Sequence, residues 1–297
     1  MKNFARVVFI LLICFNFVIS KEVNSVKFPK AVSKILDKAL KEEISQDDLN
    51  LKFVRELYYP AQGGELYFVQ FIKADLPPIE EGKPAHVFLR LYNSKGKKVK
   101  DLYSPIEKNF EIYSCPVTFS SEKHKIAILL ATNDLTKLSV KIKEVDGKKL
   151  LNLRELSTTP VVFLKSMEKL QQPVTTFKCY DGSFPLGTYM LYPYLEEKFK
   201  GGETPGLFFF ILGAQLQKPT NTYNLVVSYQ IKKDNEVLTK FPKQQLTYSV
   251  VYQPIPLKSH AKPLQPGVYE LDIKIQDVNA RKNIEKKVPF EIIDNDK

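Results

Sequence analysis

Residues able to do chemistry are few in this sequence, and they are scattered. The three histidines, His86, His124 and His260, stand alone along the chain, so none pairs with another at metal-ligand spacing. Cys115 and Cys179 have no Cys or His close by in sequence, and a zinc site does not follow from them. A Ser-His-Asp set could be assembled from parts, but no Gly-x-Ser-x-Gly elbow supports it. Gly201-Gly202 precedes a strand-like run and suits a turn rather than a phosphate cradle. Carboxylates abound, yet none pairs within an apolar setting that would lift a catalytic pKa. Asp146-Gly147 and Asp181-Gly182 are hairpin signals. The sequence therefore predicts no enzyme, no metal site and no cofactor.

Aromatic residues are the one local concentration. Tyr180, Phe184, Tyr189, Tyr192, Tyr194 and Phe199 crowd together beside Pro185 and Pro193. A stacking platform for sugars, or an aromatic-lined peptide groove, would use such residues. The chain has 20 Phe, 15 Tyr and no Trp. Many of those rings are needed for core, and the usual sugar platform is missing. Packing is the preferred reading, with Tyr180, Tyr189, Tyr192 and Tyr194 kept as candidate ligand contacts.

The elements that must position these residues begin after an export signal. Lys2 and Arg6 precede an apolar run, Val7 to Ile13 and Phe15 to Ile19, and Val18-Ile19-Ser20 resembles a cleavage site. That run is shorter than the roughly 20 residues of a membrane span. Later apolar runs are all interrupted by charge or proline. The expectation is an exported protein, periplasmic or extracellular, with residues 1–20 as signal peptide and no stable membrane span after cleavage. A lipidated Cys14 is disfavoured by the bulky Ile13 before it.

The formal charge of +11 becomes +9 once Lys2 and Arg6 are removed. The lysines are spread over turns and strand edges, where charge resists edge-to-edge aggregation. Export makes nucleic acid an unsuitable partner, while attraction to acidic envelope polymers stays open. An oxidising compartment permits a Cys115–Cys179 disulfide. Because the two fall in different candidate domains, two separate thiols are the preferred expectation.

Length predicts roughly two domains. Residues 21–48 hold a short helix, with Val32, Ile35, Leu36, Ala39 and Leu40 recurring on one face. It is expected to pack on the first domain or to act as a stalk. From Leu49 the period changes to two, and short strands separated by turn signals predict an antiparallel sandwich over 49–155. Residues 156–172, with Pro160 inside and Pro173 just after, read as a linker with a short helical or extended patch over Val161 to Leu170, and 173–297 as a second sandwich. An internal repeat supports the pair. Gly63-Gly64-Glu65 and its aromatic run correspond to Gly201-Gly202-Glu203 and Leu207 to Ile211, and further elements follow in the same order.

The second copy carries a corner. Pro266-Gly267 makes a tight turn before Tyr269, Leu271, Ile273 and Ile275, which alternate and would line one buried face. Tyr269 fits the tyrosine corner of Greek-key sandwiches, whose hydroxyl bonds back to the preceding loop. Pro266, Gly267 and Tyr269 are thus structural candidates. With Asp277 at a turn and the closing Pro289-Phe290-Glu291-Ile292 strand, this stretch resembles immunoglobulin-like or fibronectin-type modules of secreted bacterial proteins. The absence of Trp and of a matching inter-sheet cysteine pair departs from true immunoglobulin domains. The fold class expected is mostly β: two tandem antiparallel immunoglobulin-like sandwiches preceded by a short helix. The resemblance implies binding, adhesion or spacing. The partner expected is an envelope or extracellular protein met at sheet edges or loops, with a glycan as the alternative.

Overall fold

A computed structural model describes residues 26–42 and 45–294. The expected signal peptide and Cys14 lie outside the described residues. The described residues are mostly β-strand, in several antiparallel sheets, with one short helix, α1 (Lys30–Leu40), a helical turn, α2 (Gly147–Leu150), and a 3-10 turn at Gln62–Gly64. In chain order the first strands are β1 (Lys52–Pro60), β2 (Glu65–Lys73), β3 (Ala85–Asn93), β4 (Lys98–Ile106), β5 (Tyr113–Ser120), β6 (Lys123–Ala131) and β7 (Leu138–Asp146). Next come β8 (Ser157–Thr158), β9 (Val162–Lys169), β10 (Phe184–Leu186), β11 (Tyr189–Pro193), β12 (Lys198–Lys200) and β13 (Gly206–Leu212). The last are β14 (Leu225–Lys233), β15 (Glu236–Lys240), β16 (Gln244–Leu246), β17 (Val250–Pro254), β18 (Lys258–Ser259), β19 (Lys262–Pro263), β20 (Gly267–Asp277) and β21 (Lys282–Ile293). No helix among the described residues is long and apolar enough to cross a membrane.

Two compact units emerge. Unit 1 takes in the described residues up to Val54, then Pro60–Val145 and Glu168–Leu191; unit 2 takes Arg55–Tyr59, Asp146–Met167 and the described residues from Tyr192 onward.

In unit 1 the four-stranded sheet runs β4-β3-β6-β7, and β2 pairs antiparallel with β5. β6 reads Ile126-Ala127-Ile128-Leu129-Leu130-Ala131 without alternation, because both its faces are covered. Helix α1 covers the outer one. Val32, Leu36 and Ala39 pack with Phe88 and Tyr92 of β3 and with Ala127, Leu129 and Ala131 of β6. Their i, i+4, i+7 spacing puts them on one stripe, and Pro29 fixes the backbone just before the first turn. Of the two roles expected for the helix, packing is the one found. Small alanines on β6 let it approach the sheet closely.

In unit 2 one sheet contains β9, β13 and β17, with β8 also pairing β13; the other runs β12-β21-β20-β14-β15, with β16 beside β14. Leu207, Phe209 and Ile211 of β13 meet Leu225, Val227, Tyr229 and Ile231 of β14, and Tyr269, Leu271, Ile273 and Ile275 of β20. Every second residue points inward, as the pleat requires. Segment 156–172, expected as a linker, carries β8 and β9. Val162, Phe163 and Leu164 of β9 are buried and pair with Phe208, Leu207 and Gly206. Of the helical and extended options expected for Val161 to Leu170, the extended one is found, set by a partner strand some forty residues on.

Candidate functional site: a lysine-lined hollow over a buried arginine

Arg90 stands directly opposite Asp101 in the β3–β4 register. Alternation places it with Phe88 and Tyr92 on the helix-facing side of the sheet, where it is only 3% exposed. An isolated guanidinium there would be costly, and the surroundings satisfy it. Nε donates to Asp101 Oδ1 at 2.6 Å and Nη2 to Asp101 Oδ2 at 2.9 Å. Nη1 donates to Asp37 Oδ1 at 3.0 Å, and Nη2 to Ser33 Oγ at 3.1 Å, so two residues of α1 complete the set. The guanidinium also lies 5.2 Å from the centre of the Phe28 ring. Burial works against the charge, but the hydrogen bonds to Asp101 outweigh it and hold the Arg90 pKa above its ordinary value. Tyr92 donates to Asp37 Oδ1 at 3.1 Å, and burial, opposed by Arg90, pushes its pKa up to about 12.

Outside this cluster is an open hollow of about 590 Å³, lined by Lys27, Lys30, Lys34, Lys38, Lys41 and Lys98 together with Phe28, Ser33, Asp37 and Asp101. Lys30, Lys34 and Lys38 recur at i, i+4 and i+8, so a single stripe of α1 carries them, and Lys41 follows at its C-cap. Both carboxylates are already bonded to Arg90. Six lysines thus line the hollow against those two carboxylates. Lys98 reaches Asp101 Oδ2 at 3.1 Å from the solvent side. It comes from β4, an edge of its sheet, beside Val99, which is 53% exposed. The hollow thus offers exposed ammonium groups above a floor of hydrogen-bonded charges. Its chemistry is to attract carboxylates or phosphates, and the described residues around it include no histidine or thiol for proton or acyl transfer.

The sequence-level candidates lie elsewhere. Tyr269 is buried, stacks on Phe290 at 5.5 Å, and donates its hydroxyl to Gln265 O at 2.7 Å. That bond ties the Pro266-Gly267 turn to the strand it starts. Tyr180 and Tyr189 belong to unit 1, Tyr192 and Tyr194 to unit 2. Strand parity sends Tyr189 and Tyr192 to opposite faces of β11. Tyr194 bonds Glu203 Oε2 at 3.0 Å, packs edge-on to Phe199, and lies under the Lys165 ammonium. Burial, with the Glu203 bond, pushes its pKa up to about 12; burial does the same for Tyr180. Cys115 and Cys179, assigned from sequence to different domains, both lie in unit 1 with their Sγ atoms 3.1 Å apart.

Arg90 was not singled out from the sequence. The readable signal was an arginine amid Ala85-His86-Val87-Phe88-Leu89-Arg90-Leu91, a charge in a run otherwise fit for burial. Among its described residues unit 2 buries two carboxylates, Asp272 and Asp277, and Asp277 accepts from the Gln215 and Ala280 amides. Asp272 is fully covered on the outer face of β20, opposite Gln230 of β14, whose Nε2 donates to Oδ2 at 3.0 Å; the Lys232 ammonium pairs with the same oxygen. Its cover is the long Lys232 and Gln230 side chains rather than deep core. Among the described residues no group of three or more His, Cys, Asp or Glu is placed to hold a metal ion.

No protein-family model matches the chain, and no curated protein matches it.

Proposed function

We propose that the chain is an exported, non-catalytic binding protein built from two tandem immunoglobulin-like sandwiches, and that it engages an acidic protein partner through α1 and the adjoining β4 edge. The observation that carries this is the lysine-lined hollow, whose two carboxylates both bond Arg90 and are outnumbered by six lysines. The Pro266-Gly267-Tyr269 corner and the internal repeat support the tandem-module reading. The charged, apolar and Val-Ile-Ser stretches before Lys21 support export. Lys98, Val99 and Lys100 give the edge an apolar centre with a basic rim, a composition suited to a protein surface.

The test is affinity capture from the envelope fraction, with the mature protein compared against a Lys30→Glu, Lys34→Glu, Lys38→Glu triple variant. The expected result is an acidic protein that rebinds when purified, weakens with added salt, and is lost from the variant. Retention of the same partner by the variant would end this assignment. Binding to a glycan array, abolished by Tyr192→Ala or Tyr194→Ala in a folded protein, would replace the protein partner by a sugar.

A further inference from the structure

Ser114 of β5 and Tyr180 exchange both backbone hydrogen bonds: Ser114 N donates to Tyr180 O at 3.0 Å, and Tyr180 N to Ser114 O at 3.1 Å. In an antiparallel pair the next residues, Cys115 and Cys179, must then form a non-hydrogen-bonded pair. Such pairs hold their Cα atoms about 4.5 Å apart, with both side chains on one face. That spacing falls within the roughly 4.4–6.8 Å that a disulfide bridges. The Cys179 amide accordingly turns away from β5 and donates to Ser104 Oγ at 3.0 Å. The register, not just the 3.1 Å approach of the sulfurs, brings the two thiols together.

We propose that Cys115 and Cys179 form a cross-strand disulfide in the mature protein, fastening segment 168–191 to β5. The two thiols give up two protons and two electrons as the S–S bond forms. The acceptor is the disulfide of a thiol–disulfide exchange catalyst or of a small-molecule disulfide, which leaves as two thiols. Both sulfurs are buried in the folded chain, and the Cys179 hydrogen bond together with burial pushes the Cys115 thiol pKa up. A thiol so placed is a slow nucleophile. Exchange therefore precedes final burial, and once closed the bond is shielded from reductants. The supply of oxidant in the cell rests on the export reading; the geometry does not.

The experiment uses the full chain carrying Cys14→Ser, refolded from reduced, denatured protein in glutathione disulfide, then alkylated in denaturant and digested with trypsin without reductant. The expected product is fragment 109–123 joined to fragment 179–198, 2 Da lighter than their sum and released by reductant. Cys115→Ser and Cys179→Ser should each remove it and lower the urea midpoint, the double variant no further than the singles. Alkylation of both cysteines in the refolded, unsubstituted pair would overturn the proposal. A second arm alkylates protein trapped directly from its native cells. A link present after refolding but absent there keeps the disulfide geometry and overturns export instead.

Discussion

Arg90 and Asp101 face each other across β3 and β4 in a two-point ion pair, and the floor of the basic hollow is that pair. Removing one partner leaves a buried charge exposed to no counter-ion of equal geometry. Arg90→Met should cost about 3–5 kcal/mol, read as a lower urea midpoint. Arg90→Met combined with Asp101→Leu should recover much of that loss. Arg90→Lys should not, since an ammonium cannot span both carboxylate oxygens and still reach Ser33 and Asp37.

Tyr269→Phe keeps the ring on Phe290 and deletes only the donor to Gln265 O. The loss should be about 1 kcal/mol, and chemical denaturation with an unchanged m-value would measure it.

Gly213 has φ +67°, and a Cβ there would run into the backbone carbonyl of Glu155. Gly213→Ala combines left-handed strain with a clash that no side-chain rotation relieves. About 3 kcal/mol or more of destabilisation is expected. A variant melting with wild-type Tm would refute the close approach.

Acid should act through Asp272. Burial opposes its charge, but the Lys232 and Gln230 hydrogen bonds prevail and lower its pKa beneath the ordinary 3.8. A lowered folded-state pKa gives stability that is complete above 3.8 and drains away as pH falls through the folded value. Asp272→Asn should flatten that limb of the stability–pH curve, while the limb near neutrality keeps its slope.

Base should act through tyrosine. Burial raises the pKa of Tyr92, Tyr180 and Tyr194 from 10.0 to about 12. Stability from a raised pKa is complete below 10.0 and declines as pH climbs toward 12. Ultraviolet titration of phenolate should therefore lag the model-compound curve and catch up only at alkaline unfolding.

What the sequence made legible is whatever one wet and one dry face imprint locally. The inward row Tyr269, Leu271, Ile273 and Ile275 was readable because its alternate residues meet water or long polar chains. Helix α1 was readable from Val32, Leu36 and Ala39. β6 gave no alternation because α1 covers its second face. The Arg90 site stayed hidden since Asp101, Ser33 and Asp37 reach it only through register and helix docking. Cys115 and Cys179 are 64 positions apart, and no local pattern reports an antiparallel bridge at that range. The pleat of β11 divides Tyr189 from Tyr192, which closeness in sequence does not report.

Helix α1 carries lysines outward while its inner stripe roofs Phe88, Ala127 and Leu129. A protease cutting after Lys41, once the helix dissociates, would remove that roof together with its own lysines. The remaining sheet would then present a bare, flat apolar surface to water. Clipped molecules should fall out of solution rather than persist as inactive monomers, so loss of the helix would be recorded as disappearance of the protein itself.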